Sequence, residues 1–227
     1  TDIHVPPGEL FTEKVLVARH SRLCLGEVAG KRVAFHGCNV NTGGLLWESR
    51  SVWFDPVKKH LVPRGGVGVS CQVNMGSPNE AAMIERLGIV SNDCHRLNVP
   101  LLGMIYPRGE NLNIMPEDDT KAISHAARLA FEMGCDVVKT QWTGDASSFA
   151  KVCKSVPIPV LIAGGPSGAS IEETLSIVYQ AIRAGGAGVC MGRQVFSNDH
   201  PGKVVKALRA IVHDGLEVPD AIKVAGL

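Results

Sequence analysis

From residue 67 onward, short apolar runs alternate with segments whose apolar positions recur at helical spacing. The runs are VGVSCQVNM (67–75), PLLGMIYP (100–107), CDVVKT (135–140), PVLIAGG (159–165) and AGVCMGR (187–193). They read as apolar throughout and bounded by Gly or Pro, the pattern of strands buried on both faces of a parallel sheet. The segments between them carry helix signals. Ser77, Pro78 and Glu80 predict a capping box with proline at the first helical position, and Met83, Leu87, Val90 and Cys94 then share one face. Ser170 and Glu173 predict a second capping box, with Leu175, Val178 and Ile182 as the buried stripe. Asp145 is placed to cap ASSFAKVCKS, and AISHAARLAFEMG is an alanine-rich helix stopped by Gly134. Pro201 opens a last helix in which Val204, Leu208, Ile211 and Val212 align, and Gly215 ends it.

A regular succession of β-α units is compatible with an open doubly wound sheet or a closed (β/α)8 TIM-type barrel. The barrel explains more, because the polar and glycine residues that stand out all fall where strands end, and a barrel gathers those ends on one face. The first 66 residues contain strand-like pieces, KVLVARH and KRVAFHG, spaced too closely for full β-α units. The expectation is therefore an α/β barrel, shortened or irregular in its N-terminal third. It forms a single domain over 1–227, with a divergent N-terminal segment over 1–66, five regular units over 67–215 and a C-terminal tail over 216–227.

Composition narrows the partners. With 23 Lys plus Arg against 22 Asp plus Glu the net charge is +1, and no segment carries a charged block, so neither nucleic acid nor a membrane surface is expected. The apolar runs fall far short of the ~18 residues of a spanning helix, and TDIHVPPGEL lacks the pattern of a secretory leader. A cytoplasmic chain is expected. Its seven cysteines are scattered without a C-x-x-C pair, which predicts reduced thiols. The eight histidines show no ligand spacing, so no metal is expected.

Candidate chemistry lies at the strand ends: Asn74, Tyr106, Lys139, Gly164 with Gly165, and Gly192 with Arg193. A lysine ending an apolar strand is disfavoured unless something is gained, since desolvating the ammonium costs several kcal/mol or forces its pKa down. Two readings follow: a nucleophilic amine suited to Schiff-base chemistry on a ketone, or a lysine that reaches solvent or pairs with Asp145. Tyr106 is either a proton carrier across the barrel mouth or an aromatic at the strand boundary. Arg108 holds an acidic substrate group or braces its loop. The glycine loops AGGPSG and MGRQVF, followed by Arg193, suit backbone N–H groups approaching a phosphate. Asp199 and His200 read as the cap of the Pro201 helix, and Trp142 as core or rim.

Together MIYPRG, DVVKTQWTGD, VLIAGGP, GAGVCMGRQVF and VVKALRAIVHDG resemble the archaeal-type class I aldolases over about residues 66 to 220. They look most like the 2-amino-3,7-dideoxy-D-threo-hept-6-ulosonate synthase branch, and next most like archaeal-type fructose-bisphosphate aldolases. The resemblance implies a lysine Schiff base without metal or cofactor, with Lys139 as the imine-forming residue and Tyr106 as the acid/base. It puts Gly164, Gly165, Gly192 and Arg193 in phosphate-binding loops. Phosphorylated ketose and aldehyde substrates follow from it, as does a homo-oligomer. In the synthase branch a three-carbon unit passes to L-aspartate semialdehyde. Two positions depart from the family. Ser167 stands where it usually has lysine after Gly-Gly-Pro, and Phe35-His36-Gly37 is the nearest counterpart of its Asp-His-Gly. The second departure leaves open a chain that forms the imine but exchanges protons slowly, and the anomalous first 66 residues leave open a barrel that binds a phosphorylated ligand without catalysis.

Overall fold

The computed structural model describes residues 24–28, 31–35, 37–39, 68–112, 119–164 and 169–227, with backbone alone for those before 68 and for Arg193. The expected runs form β4 (Gly68–Met75), β5 (Leu101–Pro107), β6 (Val137–Thr140), β7 (Val160–Ala163) and β8 (Gly188–Cys190). They follow β1 (Cys24–Val28), β2 (Lys31–Phe35) and β3 (Gly37–Asn39). KRVAF is thus a strand as expected, while KVLVARH lies outside the described residues. Strands β3 to β8 pair in sequence order and in parallel.

The helices between them are α1 (Glu80–Leu97), α2 (Asp119–Glu132), α3 (Ala146–Lys154) and α4 (Ile171–Arg183). After β8 come α5 (Arg193–Phe196), α6 (Pro201–Asp214) and α7 (Val218–Ala225). Among the described residues no helix is long and apolar enough to cross a membrane.

The eight-stranded sheet has the order β2-β1-β8-β7-β6-β5-β4-β3. Its two edges, β2 and β3, are separated in the chain by His36 alone. β2 pairs with β1 and β3 pairs with β4, so the two edges of the sheet lie one residue apart in the chain and the sheet closes on itself as a barrel. The irregularity falls in the N-terminal third, where β1 runs antiparallel to both β2 and β8. Only residues 29 and 30 separate β1 from β2, enough for a hairpin but far too few for the crossover a parallel pair needs.

Side-chain alternation divides the strands between two apolar regions. Leu102, Met104, Tyr106, Val137, Leu161 and Cys190 pack together inside the barrel. Val69, Val73, Leu101, Ile105, Val138 and Ile162 face outward into the larger core under the helices. The predicted helix stripes are buried as expected at Met83, Leu87, Val90 and Cys94, at Leu175 and Val178, and at Val204, Leu208 and Ile211. Ile182 and Val212 are partly buried at the margin. Free thiols at Cys71 and Cys94 are buried, and desolvation pushes both up to about 12.

Several local expectations are corrected. Ser77 makes no capping box: α1 begins at Glu80 with Asn79 as N-cap and no side-chain cap bond. The Ser77 carbonyl already accepts from Glu80 N at 3.0 Å, so its hydroxyl sits before the first helical turn, buried and without a partner among the described residues. His200 holds the N-cap position of α6 but does not cap it with its side chain, and its N–H donates to Asn198 Oδ1 at 2.9 Å. The C-terminal tail is largely the helix α7, which buries Ala221 and Ala225 and is tied to α6 where Lys203 Nζ donates to the Gly226 carbonyl at 2.6 Å.

Candidate active site

The strand register brings Lys139 and Tyr106 to the same inner face. Lys139 lies opposite Met104 on β5 and Leu161 on β7, so Tyr106, two residues beyond Met104, is its diagonal neighbour toward the C-terminal mouth. Lys139 is 3% exposed and Tyr106 6%. Val137, Met104 and Leu161 make the surroundings of the lysine apolar. Among the described residues Lys139 has no ion-pair partner. An ammonium withdrawn from water without a counterion costs several kcal/mol, so stability alone disfavours a lysine here.

The alternative pairing with Asp145 is not made. Asp145 is the N-cap of α3: Oδ1 accepts from the N–H groups of Ser147 at 2.8 Å and Ser148 at 3.0 Å, and Oδ2 from Ser148 Oγ at 2.6 Å. These bonds, the Ser148 hydroxyl foremost, hold its carboxyl well below the usual carboxylate range. Trp142, partly buried between Lys139 and this cap, packs on Phe149 with ring centroids 5.1 Å apart.

On the other side of Tyr106 stands a polar wall. The first run is not apolar throughout: β4 alternates, with Val69, Cys71, Val73 and Met75 in the outer core and Ser70, Gln72 and Asn74 at the intervening inward positions. Asn74 is the register partner of Tyr106. Asn74 Oδ1 accepts from Gln72 Nε2 at 3.0 Å and from Arg108 Nε at 2.9 Å. The Arg108 guanidinium lies 4.6 Å above the centroid of the Tyr106 ring. The loop carrying Arg108 is pinned to the end of β4, since Arg108 N and Gly109 N both donate to the Met75 carbonyl, at 3.3 and 2.8 Å. A side chain at Gly109 would overlap the backbone of Gly76, so the approach needs glycine. Gln72 escaped the sequence reading; the signal was the two-residue alternation along β4.

Gly164 and Gly192 lie just past β7 and β8 at the same mouth. A Cβ at Gly164 would collide with the amide of Gln194, so the two loops abut here. The Gly192 carbonyl accepts from Val195 N at 2.9 Å and Phe196 N at 2.8 Å, which closes the turn carrying Arg193 into α5. Gly165, Ser167 and His36 lie outside the described residues, as does the side chain of Arg193.

Comparison with known proteins gives the family. The model of the DeoC/LacD family aldolases matches residues 30–198. The chain is 38% identical over 188 residues to 2-amino-3,7-dideoxy-D-threo-hept-6-ulosonate synthase 1 of Archaeoglobus fulgidus, covering 80% of this chain and 69% of that one. It is 42% identical over 166 residues to 2-amino-3,7-dideoxy-D-threo-hept-6-ulosonate synthase of Halobacterium salinarum, covering 73% and 61%. A solved archaeal fructose-1,6-bisphosphate aldolase, with its catalytic Lys covalently bound to the carbinolamine intermediate of the substrate, is 32% identical with a TM-score of 0.61, covering 66% and 60%. The chain thus spans roughly two thirds of the length of these relatives. The matched residues run from the β2 edge through the barrel to α5, and the chain belongs to the DeoC/LacD family of aldolases.

Proposed function

We propose that this chain is a class I Schiff-base aldolase or transaldolase acting on a phosphorylated ketose, with Lys139 as the imine-forming amine and Tyr106 as the proton carrier. The observation that carries the reading is a buried lysine, without a counterion among the described residues, at the mouth of the barrel and diagonal to a phenol. The Lys139 amine adds to the donor ketone, and a proton moves to the oxygen to give the carbinolamine. Loss of water yields the iminium. Proton removal from the β-hydroxyl then lets the carbon–carbon bond break, releasing an aldehyde and leaving an enamine whose electrons the nitrogen had accepted. The enamine carbon attacks the acceptor aldehyde, the new alkoxide takes a proton, and water hydrolyses the imine. In this reading Tyr106 moves protons in the steps that involve oxygen.

In this reading the N–H groups around Gly164, Gly165 and Gly192, with Arg193, hold the donor phosphate. The likeness to the two synthases favours L-aspartate semialdehyde as acceptor of a three-carbon unit.

The test is a panel pairing a deoxyketose phosphate, fructose 1,6-bisphosphate or dihydroxyacetone phosphate with L-aspartate semialdehyde or glyceraldehyde 3-phosphate, read by mass spectrometry of the products. The wild-type chain is expected to cleave a phosphorylated donor and to form the heptulosonate product with aspartate semialdehyde, and Lys139→Met to lose at least about 10³-fold of that rate. Donor binding without cleavage would instead make the chain a non-catalytic barrel.

A further inference from the structure

We propose that Asn74 is a positioning residue, whose amide oxygen holds the Arg108 guanidinium over the Tyr106 ring and so fixes the phenol relative to Lys139. The inference rests on the proposed roles of Lys139 and Tyr106 and adds the device that keeps the second aimed at the first.

The bonding defines the device. Arg108 Nε is a donor in every protonation state of the side chain that proteins reach, so the Asn74 atom facing it at 2.9 Å is the oxygen, and the amide orientation is fixed. The same oxygen accepts from Gln72 Nε2 at 3.0 Å, and Gln72 is 3% exposed. One end of the chain of bonds is therefore anchored inside the barrel, and the other end lies at its mouth. Arg108 is exposed, and an exposed arginine ordinarily samples many rotamers. Here its Nε is tied down, its backbone is tied to Met75, and its guanidinium carbon rests 4.6 Å from the centroid of the Tyr106 ring. Tyr106 is thus held by its strand from below and by a fixed cation from above.

A bare tyrosine at a strand end would retain freedom about its χ angles. Displacing a proton-transfer group by about 1 Å costs on the order of 100-fold in rate, which sets the scale of what the clamp protects. β4 supplies the clamp because its inward face is polar where the inward faces of β5 to β7 are otherwise apolar.

The test uses a convenient property of the chain: it contains two tyrosines, Tyr106 and Tyr179. Tyr179 lies on α4, away from the clamp, and reports whether a variant is folded. With ring-¹³C tyrosine, Asn74→Ala is expected to shift and broaden the Tyr106 signal and leave that of Tyr179 in place. Arg108→Met, at an exposed position, is expected to do the same, and Asn74→Asp, which still accepts from both donors, to return the Tyr106 signal to its wild-type form. In donor cleavage, Asn74→Ala should lower kcat about 10- to 100-fold, with KM within about threefold and borohydride-trapped imine on Lys139 within about twofold of wild type; Asn74→Asp should recover the rate. An unchanged Tyr106 signal in both Asn74→Ala and Arg108→Met overturns the proposal, as does a wild-type kcat in Asn74→Ala. A Tyr106 signal that moves and is rescued, in a wild-type chain that traps no imine, upholds the clamp and sinks the assignment of Lys139 instead.

Discussion

Lys139 and Asp145 lie close in sequence, and the fold gives their charges different work. The strand period turns Lys139 into the barrel, between Met104 and Leu161, while the loop carries Asp145 out to the first turn of α3. There its carboxylate collects the N–H groups and hydroxyl of Ser147 and Ser148. The sign of its pH effect follows from the depressed folded-state pKa. Its stabilisation is complete above the unfolded value near 3.8 and is lost as pH falls through the lower folded value. Wild type and Asp145→Ala should therefore differ in thermal stability at pH 6 by an amount that shrinks steadily below about pH 4, measured by circular dichroism melts across that range. Lys139, Tyr106 and Arg108 were legible as candidates because each stands out against its apolar run. Asn74 was visible as a strand end, but its bond to Arg108 depends on the register of β4 against β5, which no single run reveals.

Among helices and strands, legibility followed the chemistry of the ends. The Ser170 and Glu173 side chains each bond the other's backbone N–H, at 3.1 and 2.8 Å, and the sequence signature predicted both. Ser77 carries the same signature and fails, because the turn from Asn74 to Ser77 and the turn onward to Glu80 consume its backbone before the helix starts. The helix α3 is short and buries two side chains fully, Phe149 and Val152, the larger of which packs against Trp142 on the loop after β6. Phe149→Ala should cost roughly 3–5 kcal/mol and lower Tm by on the order of 10 °C for a chain of this size, as scanning calorimetry would show. Because that loop leaves β6 after Thr140, one residue past Lys139, the variant should also slow catalysis at temperatures where it remains folded.

Taken as one barrel, the molecule was readable wherever β-α units repeat and unreadable where they do not. Five runs bounded by Gly or Pro, with the helix signals between them, predicted β4 to β8, and the closing of the sheet where β2 and β3 adjoin in the chain could not be seen in them. A reversed β1 leaves no local mark beyond the short gap before β2, and its pairing with β8 joins residues from opposite ends of the chain. The closure matters for function because it gives the strands a common mouth, where Lys139, Tyr106, Arg108, Gly164 and Gly192 meet. Borohydride reduction of the chain in the presence of a ketose phosphate, followed by peptide mass mapping, tests this arrangement most directly. The expected result is one reduced adduct, carried by Lys139 and absent from Lys139→Met. An adduct on another lysine, or one of wild-type yield in Lys139→Met, would contradict the assignment.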